Sequence, residues 1–283
     1  MLPPIAVSIS EVRAAVARVR QEGKSIGFVP TMGALHAGHA GLVRTARTRT
    51  DFAVVSIFVN PTQFGPNEDF SRYPRNLEAD RELCSAVGAD LIFAPRSEEM
   101  YPAGTCTFVN VKGLADHLCG PSRSGHFAGV ATVVLKLFNI VLPDVAFFGQ
   151  KDAQQARIIQ QMAIDLNLLV EVEVLPTIRE PDGLAMSSRN RYLDPVQRKQ
   201  AIVLFRSLER AKELVAAGER DARKLETLFA SQVASTPGAR LDYARVVDAL
   251  TFQPIETLQR PAVAALAVYF GSTRLIDNVI LSF

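Results

Sequence analysis

Cysteine is scarce in this sequence of 283 residues, which has only three, Cys84, Cys106 and Cys119. An odd number of widely spaced cysteines is typical neither of a disulfide framework nor of a cysteine-ligated metal site. The first ten residues include two prolines and lack the basic segment followed by an apolar one that marks a secretory signal. These absences favour a protein of the reducing cytoplasm.

Long apolar runs and blocks of basic residues are also missing. The apolar run 262–270 covers nine residues, whereas a helix needs about 20 to cross a bilayer. Lysine and arginine total 31 against 29 acidic residues, a formal net charge of +2 without a basic block. A nucleic-acid-binding protein usually shows a basic excess or stripe. The sequence therefore predicts a globular protein that binds neither membranes nor nucleic acid.

Both common phosphate-binding loops are absent, since no glycine loop precedes a Lys-Ser/Thr pair and no triple-glycine fingerprint occurs. Residues 30–39 stand instead between an apolar run and a helical pattern, with His36 and His39 at the start of the helix. Backbone N–H groups there lack intrahelical partners, and the helix dipole attracts anions. Gly38 would let a ligand approach the backbone. This stretch indicates an anion site; the alternative is that one histidine caps the helix and the other packs.

Apolar runs alternate with helical patterns over the first 176 residues. The predicted strands are 25–30, 53–60, 90–95, 145–148 and 170–175, with a short further strand at 107–111. Several of these runs are apolar almost throughout, which is typical of parallel strands buried on both faces. A helix predicted over 10–21, which Ser10 could cap, precedes the first strand, and further helical patterns separate the strands. This order predicts right-handed crossovers and a doubly wound α/β sheet.

The pattern changes after residue 176. Helices are predicted over 195–217 and 222–234, followed by strands at 241–247, 262–270 and 274–281 that suit an antiparallel sheet. We therefore expect a first α/β domain over residues 1–178 and a smaller α+β domain over 179–283.

Four unusual segments follow predicted strands, where ligands bind in open parallel sheets. They are residues 30–39, 60–65, 149–152 and 186–189. Lys151 suits a phosphate, while Asp152 could hold a ribose hydroxyl or simply cap a helix. Asn60 and Gln63 are neutral amides, which suit a substrate that carries hydroxyl or amide groups.

Residues 186–189, Met-Ser-Ser-Arg, offer two hydroxyls, backbone N–H groups and a guanidinium. Such a set can bind polyphosphate oxygens through charge-assisted hydrogen bonds. A solvated loop between domains is the alternative reading of this segment.

Residues 30–39 resemble the nucleotide-binding signature of the cytidylyltransferase-like adenylylating enzymes, with His-x-Gly-His at 36–39. Three further groups of residues narrow the resemblance: 58–64 with 72–75, 148–152 with 154–155, and 186–190. Together they are similar to the pantothenate synthetase (pantoate–β-alanine ligase) family over about residues 20–195. The resemblance implies a Rossmann-like nucleotidyltransferase fold and an ATP-dependent ligase.

The resemblance also implies a reaction in two steps. The pantoate carboxylate attacks the α-phosphate of ATP, which gives pantoyl adenylate and releases pyrophosphate. The amine of β-alanine then displaces AMP to form the amide, pantothenate. ATP is thus a substrate, Mg²⁺ accompanies it, and the family resemblance suggests a homodimer.

The family's roles carry over onto residues of this sequence. His39 is the expected proton donor. Gln63 and Gln155 are expected to bind pantoate, with Gln63 also near β-alanine, and Asn60 joins this substrate-binding set. Asp80 matches a carboxylate near Mg²⁺, although the neighbouring position is alanine here. The expected ATP contacts are Met32, Gly33, Ala34, Leu35, His36, Ala37, Gly38, His39, Gly149, Gln150, Lys151, Asp152, Ile178, Met186, Ser187, Ser188 and Arg189.

No covalent nucleophile of the enzyme is needed, because the first step is an in-line displacement at phosphorus. Catalysis then consists of positioning and of donors aimed at the growing charge. The candidate catalytic donors are His36, His39, Lys151, Ser187, Ser188 and Arg189. The smaller C-terminal domain is expected to act as a lid that excludes water.

Two alternatives remain at this point. Another nucleotidyltransferase of the same superfamily would transfer an adenylyl group to a phosphate, but the amides Asn60, Gln63 and Gln155 suit such an acceptor less well than cations would. A nucleotide-binding module without catalysis would not need the pair of histidines.

Overall fold

The computed structural model of the chain describes residues 1–66 and 68–282. These residues form two compact units. The first contains Met1–Val111, Arg123–Gly149 and Gln155–Pro176, and the second contains Lys112–Ser122, Gln150–Gln154 and the chain from Thr177 onward. The second unit thus includes two segments that the sequence-based boundary at 178 assigns to the first domain.

The first unit is built on a six-stranded parallel sheet. Its strands are β1 (Ile5–Ala6), β2 (Ile26–Thr31), β3 (Phe52–Ile57), β4 (Leu91–Phe93), β5 (Val145–Gly149) and β6 (Glu171–Leu175). Their order across the sheet is β1-β4-β3-β2-β5-β6. The chain therefore moves outward from β2 through β3 and β4, then crosses to β5 on the other side of β2. This reversal is the topological switch point at which open α/β sheets bind ligands.

Helices cover both faces of this sheet. They are α1 (Ile9–Gln21), α2 (Ala37–Arg49), α3 (Leu77–Ala86), α4 (Ser97–Met100), α6 (His126–Val141) and α7 (Ala153–Asp165). Consecutive strand residues enter different cores: Phe28 packs in the cluster with residues of α1, α6 and α7, whereas Val29 packs with residues of α2 and α3. Burial on both faces explains why these strands are apolar almost throughout.

The second unit has its own core beneath a three-stranded antiparallel sheet. Its strands are β7 (Ala239–Asp248), β8 (Ala262–Phe270) and β9 (Thr273–Leu281), and its helices are α5 (Cys119–Ser122), α8 (Pro195–Gln200), α9 (Val203–Ala216) and α10 (Ala222–Ala234). The predicted fold class, a doubly wound parallel sheet with a smaller α+β part, is confirmed. None of the described helices combines the length and the hydropathy that a membrane span requires.

Several predicted elements differ from the structure. Residues 107–111 form no strand; the Val109 N–H donates to the Thr132 hydroxyl at 2.9 Å. Ser8 caps α1 instead of Ser10, because its hydroxyl accepts from the Glu11 N–H while the Glu11 carboxylate accepts from the Ser8 N–H. The predicted helix 195–217 is two helices, α8 and α9, and the short strand β1 was missed.

Candidate active site

The chain leaves β2 through a tight turn at residues 32–36, directly before α2. Gly33 and Ala34 both have positive φ, +81° and +51°. A Cβ atom at Gly33 would lie 2.9 Å from an Asp80 carboxylate oxygen and 3.0 Å from Ile57, so position 33 requires glycine for space as well as for conformation. The Thr31 hydroxyl accepts from the Gly33 N–H and donates to the Ser56 carbonyl, which ties the turn to β3.

Asp80, in the first turn of α3, holds the backbone of this turn. Its two carboxylate oxygens accept from the N–H groups of Ala34 and Leu35 at 3.0 and 2.7 Å. The Asp80 side chain is 4% exposed. The carboxylate expected near magnesium is therefore bound to the backbone of the turn, and no group of three His, Cys, Asp or Glu side chains among the described residues could hold a metal.

The two histidines at the start of α2 are oriented by backbone N–H groups. His36 is the N-cap residue, and its Nδ1 accepts from the Gly38 N–H at 3.1 Å. The Nδ1 of His39 accepts from the His36 N–H at 3.4 Å, and the two rings lie 4.2 Å apart. An Nδ1 that accepts carries no hydrogen, so each neutral ring is protonated on Nε2. Capping and anion binding are thus compatible, because each capping ring carries its donor hydrogen on Nε2.

Asn60 and Gln63 lie in the loop after β3 and are bonded to each other. The Asn60 amide donates to the Gln63 side-chain oxygen at 3.1 Å and to the Gly129 carbonyl, and its oxygen accepts from the Tyr101 hydroxyl at 2.9 Å. Asn60 is only 1% exposed. It therefore holds Gln63, whose amide nitrogen donates to the sulfur of Met32 at 2.9 Å. This contact connects the loop to the histidine turn.

The two glutamines at the start of α7 have different surroundings. Gln154 is buried and belongs to the second unit, where its amide donates to the carbonyls of Leu114 and His117 and accepts from the Cys119 N–H. Gln155 is half-buried and belongs to the first unit. Gln155 is thus the one of the two that remains a candidate for pantoate, because Gln154 uses its side chain inside the second unit.

In the second unit, neighbouring residues of β9 bond the main chain of residues 150–151 and Arg179, which follows the predicted ATP contact Ile178. The Asn278 amide donates to the carbonyls of Gln150 and Lys151, both at 2.9 Å, and accepts from the Gln150 side chain. Asp277 binds both terminal nitrogens of Arg179 at 2.6 and 3.1 Å. Burial raises the pKa of Asp277 above its ordinary value, while Arg179 opposes this shift.

Residues 178–189 form a folded segment rather than a solvated loop. The Met186 N–H donates to the Ile178 carbonyl at 3.0 Å, next to a bridge between Arg179 and Ala185. The Ser187 hydroxyl accepts from the Arg189 N–H at 3.3 Å, and an accepting hydroxyl still has its own hydrogen to donate. The Nζ atom of Lys151 lies 3.7 Å from a carboxylate oxygen of Asp152.

A family model described as pantoate-beta-alanine ligase matches residues 4–280. The chain belongs to the pantoate–β-alanine ligase family. The chain is 60% identical over 274 residues to the pantothenate synthetase of Pelotomaculum thermopropionicum and 56% identical to that of Moorella thermoacetica, with 97% of each chain covered in both cases.

Solved structures give the same result. The chain is similar to the crystal structure of pantothenate synthetase from Thermus thermophilus, with a TM-score of 0.93, 45% identity and 98% of each chain covered. It is also similar to pantoate-beta-alanine ligase from Francisella tularensis, crystallised with beta-gamma ATP and beta-alanine, with a TM-score of 0.80 and 34% identity over 98% of this chain and 97% of that one. The predictions of the family and of a ligase are confirmed.

Within this member of the pantoate–β-alanine ligase family, the predicted site residues fall into two groups. The first unit brings together the histidine turn, Asn60, Gln63 and Asp80 through direct hydrogen bonds. In the second unit, β9 bonds residues 150–151 and Arg179, the neighbour of Ile178. Sequence reasoning missed the supporting residues Asp277, Asn278 and Tyr101, because nothing in their own surroundings along the chain distinguishes them.

Proposed function

We propose that the protein joins pantoate to β-alanine at the expense of ATP, through pantoyl adenylate. The observation that supports this most directly is the histidine turn, which offers two Nε2–H donors at the switch point of the sheet and contacts the amide of Gln63 through Met32. Anion donors and a neutral amide beside each other suit a phosphate and a hydroxy acid.

The first step would place the pantoate carboxylate in line with the α-phosphate of ATP. Negative charge then grows on the phosphate oxygens and on the leaving pyrophosphate. We propose His39 as the proton donor and His36 as an ATP contact. In this arrangement each ring can donate from Nε2, since its Nδ1 accepts from the backbone.

The wider ATP contacts are proposed from the family resemblance. They are Met32, Gly33, Ala34, Leu35, His36, Ala37, Gly38 and His39 in the first unit with Gly149, and Gln150, Lys151, Asp152, Ile178, Met186, Ser187, Ser188 and Arg189 in the second unit. Lys151, Ser187, Ser188 and Arg189 are the candidate catalytic donors of this second set, because charged and hydroxyl donors stabilise phosphate oxygens.

Pantoate would be bound by neutral amides. Gln63 and Gln155 can each donate to and accept from the hydroxyl groups of pantoate. Asn60 acts here by fixing which end of the Gln63 amide accepts, since it donates to the Gln63 oxygen. The Gln63 amide then retains one lone pair and one N–H for substrate.

Magnesium needs no site made by protein alone in this proposal, since one or two carboxylates at most usually join the phosphate oxygens. The described residues contain no cluster of three ligating side chains, and Asp80 accepts two backbone N–H groups. We propose that Mg²⁺ arrives with ATP, bound to phosphate oxygens and water as it usually is in such enzymes.

Pyrophosphate exchange tests the proposal. The enzyme is mixed with ATP, Mg²⁺ and labelled pyrophosphate, and label entering ATP is followed with and without pantoate. We expect exchange only with pantoate, and AMP with pantothenate once β-alanine is added. Exchange without pantoate, or none with it, would overturn the ligase proposal. The alternative nucleotidyltransferase would need a phosphorylated acceptor, and a binding module would show no exchange.

We also propose that the protein is a homodimer in the cytoplasm. All three cysteines, Cys84, Cys106 and Cys119, are free thiols, as a reducing compartment favours. The homodimer rests on the family resemblance, and sedimentation of the purified protein would measure it.

A further inference from the structure

Gln63 is held through its main chain as well as through its amide. The Nδ1 of His126, the first residue of α6, lies 2.8 Å from the Gln63 carbonyl oxygen. The Nε2 of the same ring lies 2.8 Å from a terminal nitrogen of Arg123. His126 is buried. These contacts are not among those that the sequence pointed to.

The two contacts decide where the ring of His126 carries its hydrogen. An arginine nitrogen can only donate, so the Nε2 of His126 accepts from Arg123. The neutral ring must then carry its hydrogen on Nδ1 and donate it to the Gln63 carbonyl. Protonation of Nε2 would set an N–H group against the N–H donor of Arg123 and break this hydrogen bond.

Arg123 is itself fixed by a carboxylate. Its Nε and one terminal nitrogen donate to the two Glu68 oxygens at 2.6 and 2.7 Å, a bidentate pair. Burial would raise the pKa of Glu68, but Arg123 holds it below its ordinary value. The pair therefore stays charged at neutral pH, and Glu68, Arg123 and His126 form a chain that ends on Gln63. We call these three residues the Gln63 clamp.

We propose that His126 is a positioning residue for the hydroxy-acid substrate, acting on Gln63 through the Gln63 clamp. This inference rests on the proposed function, in which Gln63 binds pantoate. Both ends of Gln63 are then fixed, the carbonyl by His126 and the amide by Asn60 and Met32. The remaining N–H and lone pair of the amide point in a direction that this framework sets.

Three substitutions separate the two hydrogen bonds of His126. His126→Asn retains a donor near the Nδ1 position and loses the acceptor for Arg123. His126→Gln retains an acceptor near the Nε2 position and loses the donor to Gln63. His126→Phe keeps the ring and removes both. His117→Asn is the control, because His117 is a half-buried histidine of the second unit that bonds Gln253.

The measured quantities are the pantoate KM in pyrophosphate exchange and the Kd of ATP alone by calorimetry. We expect His126→Gln and His126→Phe to raise the pantoate KM about tenfold, the scale of one lost hydrogen bond, without changing the ATP Kd. His126→Asn, which keeps the donor to Gln63, should recover much of this loss, and His117→Asn should behave as the wild type. Equal KM values in all variants, or parallel losses of pantoate and ATP affinity with lowered Tm, would overturn the inference. A wild type without pantoate-dependent exchange would overturn the proposed function itself.

A second measurement needs no variant of His126 to fold. The chain has four histidines, so nitrogen NMR of labelled histidine in the wild-type protein gives four assignable rings. We expect His126 to be the Nδ1–H tautomer and His36 and His39 to be Nε2–H tautomers at neutral pH. An Nε2–H tautomer or an imidazolium at His126 would overturn the assignment.

Discussion

At the scale of single residues, the site depends on which nitrogen of each ring carries a hydrogen. Backbone N–H groups donate to Nδ1 of His36 and His39, whereas Nδ1 of His126 faces a carbonyl. The same side chain therefore serves two purposes, because its neighbours select the tautomer. The first two histidines carry an Nε2–H that can donate to a phosphate, and His126 uses both nitrogens within the protein.

The role of His39 can be tested by moving its donor. His39→Asn retains an acceptor near Nδ1 but has nothing at Nε2, so we expect pantoyl adenylate formation to slow by at least ~100-fold, the scale for one lost transition-state donor. His39→Gln places an amide N–H near Nε2 and should recover much of that loss. Rapid-quench single-turnover assays measure both rates. Similar rates in the two variants would show that the Nε2 donor is not what matters.

Substitution of Asp80 tests whether its carboxylate anchors the backbone of the turn or binds magnesium. Asp80→Asn places an NH₂ group against the N–H of Ala34 or Leu35, which should lower the free energy of unfolding by about 1–3 kcal/mol and slow adenylate formation. Excess Mg²⁺ should not restore the rate, because the defect is in the turn. Glu78→Gln, on the exposed side of the same helical turn, should behave as the wild type. Rescue by Mg²⁺ would instead support a metal ligand.

The sequence revealed the residues that contact ligands better than the residues that hold them. His36, Gly38 and His39 share one turn, so their grouping is visible as a motif. Asp80 holds Ala34 from 46 positions away, and His126 reaches Gln63 across 63 positions. Such contacts depend on how β-strands and helices are ordered in space. The spacing of residues within a motif contains no information about that order.

At the scale of elements, the strand β9 organises the second group of predicted ATP contacts. Adjacent residues Asp277 and Asn278 bind Arg179 and the 150–151 main chain, respectively. The amide of Asn278 donates to two successive carbonyls of the turn at residues 150–152 and therefore constrains its conformation. The strand would thereby set the position of Lys151 without contacting ATP.

Asn278→Asp tests this dependence. A carboxylate cannot donate to the carbonyls of Gln150 and Lys151 and would repel them, so we expect ATP to bind about tenfold more weakly with the pantoate KM unchanged at saturating ATP. Asn139→Asp, on the exposed face of α6, is the matched control. Calorimetric titration with ATP gives the affinities. Normal ATP affinity in Asn278→Asp would show that β9 does not position the residues that bind ATP.

Elements were predictable where burial on both faces leaves a strong pattern. β2, β3 and β5 appeared as apolar runs because two cores enclose them. The run 107–111 has similar residues, but the Val109 N–H is taken by Thr132 instead of a strand. The break between α8 and α9 at residues 201–202 contains neither glycine nor proline, so the sequence did not indicate it.

At the scale of the whole molecule, the chain interleaves its two units. Residues 112–122 and 150–154 belong to the second unit although they lie between strands of the first. Cys119 approaches the Tyr243 hydroxyl at 3.3 Å and Arg274 at 3.5 Å, and Ser122 lies 3.3 Å from Asp242. The predicted boundary near residue 178 follows a change in the sequence pattern. That pattern does not indicate that residues 112–122 and 150–154 belong to the second unit.

The interleaving predicts how a fragment cut at that boundary behaves. Residues 179–283 alone lack Cys119, which contacts Tyr243, and the segment 150–154, which contacts Asn278. In the full chain, burial raises the pKa of Tyr243 well above its ordinary value, and the neighbouring Cys119 adds to the shift. We expect the fragment to have a lower Tm than the full chain and Tyr243 to titrate close to its ordinary pKa of about 10, because solvent reaches the phenol. Ultraviolet titration of the phenolate, with Tyr243→Phe to assign the signal, measures this shift. A fragment that retains both the Tm and the raised Tyr243 pKa would show that residues 179–283 are an autonomous domain, since the segments 112–122 and 150–154 would then be dispensable for its core.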